Sequence, residues 1–191
     1  MFQQIIIVVG AIIGVFISYF VGRYVIASVS PETDERIELH FILKDIKRSF
    51  GFLFEKGYRI REAHYSSHPN GSWHVDLESK DCVVSIVQDR GEILAYFSPS
   101  FGSIASSDKV SIEAMICFLS EGKDVVESYK GNLAWGKSKQ FERLAGLLRT
   151  YIDRIVPYFG NTYHENKDKL KKAERQYFNI RVTETARQKA E

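Results

Sequence analysis

Residues Ile5 to Ser30 read IIIVVGAIIGVFISYFVGRYVIASVS, and the eighteen from Ile5 through Gly22 carry no charge. A helix over Ile5 to Ile26, at about 1.5 Å of rise per residue, is about 33 Å long and so can cross a hydrocarbon core of about 30 Å. Nothing later in the chain is comparably apolar. The segment therefore predicts a single transmembrane helix within 1–30, a water-facing domain over 31–182 and a frayed tail over 183–191.

The flanks set an expected orientation. Arg23, Arg36, Lys44, Lys47 and Arg48 all lie at or after the end of the apolar run, with only the α-amino group before it. The positive-inside rule then places the carboxy-terminal domain in the cytoplasm, as a single-pass protein of the inner membrane. Two cysteines, Cys82 and Cys117, form no spaced motif and suit a reducing compartment as free thiols. A Cys82–Cys117 disulfide would go with the opposite orientation.

Within the predicted anchor, Gly10, Gly14, Ser18 and Gly22 recur every four residues and share one helix face. Lipid supplies no hydrophobic force between helices, so close backbone approach along such a small-residue groove is what favours association. The expected partners are the lipid bilayer itself and either a second copy of the chain or another membrane protein.

The net charge of +2 is unevenly spread: acids slightly outnumber bases between Pro31 and Gly160, and only the last stretch leans basic. Nucleic-acid binding usually needs a concentrated basic face, so no nucleic-acid partner is expected. Lys167, Lys169, Lys171, Lys172 and Arg175 alternate with Glu165, Asp168 and Glu174, which reads as a solvated helix face.

From Pro31 the pattern is α+β. Ser30 caps a helix with Pro31 at its first position, and apolar residues at Leu39, Ile42, Leu43, Ile46, Phe50, Leu53 and Phe54 keep helical period up to Gly57, with Gly51 a candidate bend. Tyr58 to Ser98 then predicts a four-stranded antiparallel meander, parted by HPNG, Lys80-Asp81 and Arg90-Gly91. Two-residue turns pair Ser79 with Cys82 and Asp89 with Glu92. That register puts Trp73, Val75, Leu77, Val84, Ile86, Ile93, Ala95 and Phe97 on one face, the expected core.

On the opposite face, pairing Ser66 with Ser72 sets His64 across from His74 and Glu62 across from Asp76. Two imidazoles and two carboxylates could hold a divalent metal ion, with His68 of the turn as a further ligand. A plain solvated outer face explains the same residues, and no spaced metal motif supports the first reading. Val83, Val87, Leu94 and Tyr96 make the later strands apolar on this side too, so a helix or a partner is expected to cover them.

The meander also carries a resemblance. The string GSWHVDLESKDC over Gly71 to Cys82, closed by Asp89-Arg90-Gly91-Glu92 and preceded by Phe52 to Tyr58, is similar to a group of small bacterial proteins of unknown function, some regarded as immunity-type partners. The resemblance implies a fold and a prokaryotic origin. It implies no catalytic residue, and the membrane anchor departs from the soluble form of that group.

Three helices are predicted after the meander. The first runs from Lys109 to Ser120 through Ile112, Met115, Ile116 and Leu119. The second is capped by Ser138 and carries Phe141, Leu144, Leu148, Tyr151, Ile152 and Ile155 inward, and the third uses Leu170, Ala173, Tyr177, Ile180 and Phe178. Trp135 reads as a core residue. Gly122-Lys123 and Gly136-Lys137-Ser138 lack the earlier glycine of a phosphate loop. No nucleophile elbow, dinucleotide fingerprint or spaced Cys/His set is present, so no catalytic residue and no cofactor is called for. The expected function is that of a membrane-anchored, non-catalytic interaction or assembly protein. An immunity component that binds a toxin-like protein, and a metal-binding enzyme using His64, His74, Glu62 and Asp76, are the alternatives.

Overall fold

Short apolar repeats of period two give way at both ends to repeats of helical period, and the elements follow that division. The computed structural model describes residues 31–67, 71–100, 108–124 and 136–188. The elements in order are α1 (Pro31–Ser49), α2 (Gly51–Glu55), β1 (Arg59–Ser66), β2 (Ser72–Glu78), β3 (Cys82–Asp89), β4 (Glu92–Pro99), β5 (Val110–Ser111), α3 (Ile112–Leu119), α4 (Lys137–Ile155), a 3-10 turn at Val156–Tyr158 and α5 (Tyr163–Gln188). Internal contacts divide the chain into two units, Met1–Phe41 and Ile42–Glu191. Of the first unit the described part is the start of α1, which presents Ile37 and Phe41 to solvent.

In the second unit the strands form one antiparallel sheet in the order β1-β2-β3-β4-β5. The expected register is present: Ser66 faces Ser72, His64 faces His74, Glu62 faces Asp76 and Asp89 faces Glu92. Ser79 N–H donates to the Cys82 carbonyl at 2.9 Å across the second turn. Arg90 and Gly91 both take positive φ, 50° and 84°, which suits the twist of a two-residue hairpin. The β1–β2 register shifts by one residue between Ile60 and Glu62, with Arg59 and Ile60 still paired to Glu78 and Leu77 beyond it.

The sheet has five strands where four were expected. Val110 and Ser111 pair with Phe97 and Tyr96, so the chain enters α3 from an edge strand and not from a helical turn at Lys109. Ser111 then caps α3, its hydroxyl accepting from Ala114 N–H at 3.2 Å. Two further boundaries differ. The first helix breaks at Phe50, whose N–H still bonds the Ile46 carbonyl, and restarts as α2 at Gly51. Gly136, not Ser138, is the N-cap of α4, and no side chain caps it.

The face bearing Trp73, Val75, Leu77, Val84, Ile86, Ile93, Ala95 and Phe97 is buried, as the alternation requires. Its residues share one cluster with Ile46 of α1, Phe50 at the break before α2, Met115 and Ile116 of α3, Phe141, Leu144 and Leu148 of α4, and Leu170 and Tyr177 of α5. Phe141 is the hub, stacked on Trp73 at 6.0 Å and edge-on to Phe50 at 5.7 Å. Phe159 extends the aromatic line, stacked between Phe97 at 5.8 Å and Tyr163 at 6.2 Å. Phe178 is a correction: it is 64% exposed and plays no part in this core.

Among the described residues no helix is long and apolar enough to cross a membrane. The predicted anchor, with Gly10, Gly14, Ser18 and Gly22, lies outside the described residues, as do His68 and Trp135. Cys82 and Cys117 are free and buried.

Candidate functional site

Because the pairing register is continuous, one residue from each strand falls into a straight row on the face away from the core. Glu62, Asp76, Ser85, Tyr96 and Ser111 stand directly opposite one another in β1 to β5. Neighbouring members of such a row lie about 4.5–5.5 Å apart, within reach of direct interaction. This row is polar from end to end, although Asp76 is 7% exposed and Ser85 1%. Oδ1 of Asp76 is buried with no hydrogen-bond partner, and so is the hydroxyl of Ser98, two residues beyond Tyr96 on β4.

Two side chains extend the row beyond the sheet. Lys109, just before β5, donates from Nζ to the Ser85 hydroxyl at 3.3 Å. Glu174 of α5 accepts from the Ser111 N–H at 2.9 Å and from its hydroxyl at 3.1 Å, both at Oε2. Burial pushes the Glu174 carboxyl above its usual range, and the two Ser111 bonds only partly offset this. Burial likewise raises Tyr96, with the charges of Glu113 and Glu174 adding to it.

Beyond Glu174 the row opens into a pocket of ≈ 260 Å³ between the start of β5 and α5, lined by residues that include Asp108, Lys109, Tyr163, Lys167, Lys171, Glu174 and Arg175. Helical spacing explains one wall, since Tyr163, Lys167, Lys171 and Arg175 follow one another at four-residue intervals along α5. Asp108 sits opposite. Lys167 Nζ donates to its Oδ2 at 3.3 Å. The same nitrogen lies 3.1 Å from Oδ1, near enough for charge attraction, and Lys171 Nζ lies 3.6 Å from that oxygen. The Lys167 hydrogen bond, followed by the charges of Lys167 and Lys171, outweighs desolvation and lowers the Asp108 carboxyl. Tyr163 is pushed up to about 12 by burial and by Asp108.

The residues expected to gather on the first hairpin do gather in part. His64 and His74 rings are 5.7 Å apart at 40°, and His74 Nε2 lies 3.8 Å from Glu62 Oε1. Asp76 is on the same row as Glu62 but buried. Among the described residues no group of three or more His, Cys, Asp or Glu side chains is placed to hold a metal ion. The outer face of the hairpin is thus a half-open imidazole pair with one carboxylate, flanked by the Arg61–Glu78 ion pair at 3.1 Å.

Sequence reasoning passed over Ser85, Asp108, Lys109 and Glu174. Ser85 offered one signal, a lone hydroxyl within the apolar run from Cys82 to Val87. The other three meet only through the β5–α5 contact, which joins residues more than fifty positions apart. Ser85 is too deeply buried for a substrate to reach its hydroxyl, so its contact with Lys109 orders the lysine and does not form an open nucleophile.

A five-stranded antiparallel sheet whose core face shares one apolar cluster with the helices, and whose other face carries a polar row leading into a charged pocket, defines an α+β domain. No protein-family model, curated protein or solved structure matches the chain.

Proposed function

We propose that this is a membrane-anchored, non-catalytic interaction protein that associates with a second copy of itself and presents its α+β domain to a protein partner at the cytoplasmic face of the inner membrane. One observation carries the reading. Ile37 and Phe41, four residues apart on α1, are 46% and 56% exposed, in a helix segment that also carries the charges of Asp34, Glu35, Arg36 and Glu38. An apolar pair at that spacing is one helix face. In the sequence Ile37 lies fifteen residues beyond Gly22, the last member of the small-residue face of the predicted anchor. Two copies related by a two-fold axis would set each pair against its own counterpart, as a self-complementary contact requires.

Native mass measurement of the full chain from mild detergent tests this, with Gly14→Ile and Phe41→Ser compared with the parent. A homo-oligomer that loses subunits in both variants is expected. A parent chain that is monomeric throughout sinks the proposal, and a stoichiometric membrane protein of different sequence would replace the second copy. The alternative reading is an immunity component, suggested by the resemblance of Gly71 to Cys82, and its mark is one-to-one capture of a toxin-like protein. The metal-binding alternative keeps the His64–His74 pair and the 3.8 Å approach of Glu62, but among the described residues no group of three or more ligands is placed to hold a metal ion.

A further inference from the structure

The pocket between β5 and α5 carries more positive charge than its acids balance. Lys109, Lys167, Lys171 and Arg175 face it against Asp108 and Glu174. The imbalance is also local. Lys167 and Lys171 both bring ammonium groups within 3.6 Å of one Asp108 oxygen, so a single carboxylate serves two cations. Lys109 is half-buried with its Nζ on a neutral serine hydroxyl. Glu174 is engaged by the Ser111 amide and hydroxyl.

We propose that this pocket binds a phosphate monoester group, on a small molecule or on a lipid headgroup. Lysines are suited to phosphate as point charges that need no planar fork geometry. A dianion matches the surplus of two positive charges, which a carboxylate would leave half-satisfied. The space of ≈ 260 Å³ admits a phosphate with a small organic body but not a dinucleotide. Asp108 occupies the Lys167–Lys171 pair as an internal stand-in for the anion, and the incoming phosphate shares those cations with it. The inference is independent of self-association.

The test reads lysine protection in the full chain. An amine-acylating reagent is applied with increasing inorganic phosphate or phenyl phosphate, and separately in phosphatidylcholine bilayers with and without phosphatidic acid; acylation at each lysine is followed by mass spectrometry. Saturable protection of Lys109 and Lys171, with Lys56 and Lys80 unchanged, is the expected result. Protection by the free phosphates identifies a soluble ligand, and protection only with phosphatidic acid identifies a headgroup. Arg175 is exposed, so Arg175→Gln leaves the fold intact and should raise the concentration for half-protection about fivefold. Asp108→Asn should lower it by a similar factor. No selective protection in any arm, or protection equal in the parent and both variants, overturns the proposal.

Discussion

At the scale of single residues the most constrained pair is Tyr58 and Cys82, whose hydroxyl and thiol meet at 3.1 Å in the core. Burial is the main reason the Cys82 thiol is pushed from its ordinary value of 9.0 to about 11. The unfolded chain ionises this thiol first, so its contribution to stability is complete below pH 9.0 and is lost as the pH rises toward about 11. Urea unfolding should show that loss, and Cys82→Ala should show a shallower one. Tyr58→Phe, which takes away the hydroxyl, should cost about 1 kcal/mol at pH 7 by the same assay. Glu174 has the same sign, since its folded pKa is raised: its charged form is the less favoured one inside, so the cost appears as pH rises through the folded value. Glu174→Gln is expected to hold stability within about 1 kcal/mol at pH 7 and to flatten the acid side of the profile, because an amide oxygen can still accept from Ser111.

Between elements, two buried glutamines join parts of the chain that periodicity alone cannot connect. Gln140 of α4 accepts the Ile93 N–H at 2.8 Å and donates to the Gly91 carbonyl at 2.9 Å, which fixes the helix against the β3–β4 turn. Gln88 of β3 accepts from Trp73 Nε1 at 2.9 Å and donates to the Gly71 carbonyl at 3.0 Å. Gln140→Ala strands two backbone groups and should lower stability by about 2 kcal/mol, measured by denaturant unfolding. An unchanged midpoint would mean that water takes over both bonds. The strands themselves were readable because alternation and turn chemistry agreed over β2, β3 and β4. What stayed hidden was whatever depends on a distant partner. Val110-Ser111 is too short to show a period, and it is a strand only because Phe97 and Tyr96 lie beside it. Glu174 reads as one more solvent charge until Ser111 is brought to it.

For the whole molecule, protection against hydrogen exchange should follow the distribution of the core. Amides of β3, where Val84 and Ile86 are fully buried, should exchange last, and those of α5 beyond Tyr177, where Phe178 and Val182 are 64% and 52% exposed, should exchange first. Equal protection along α5 would show that a bound partner covers that end. The two margins of the sheet are also unequal, because the outward amide of Ser111 in the last strand is already taken by the Glu174 carboxylate. An edge of two residues with its free donor occupied offers no template on which another chain can build a strand. Among the described residues the other margin of the sheet is β1, Arg59 to Ser66, which would set arginines, a glutamate and a histidine before an extended peptide that added there.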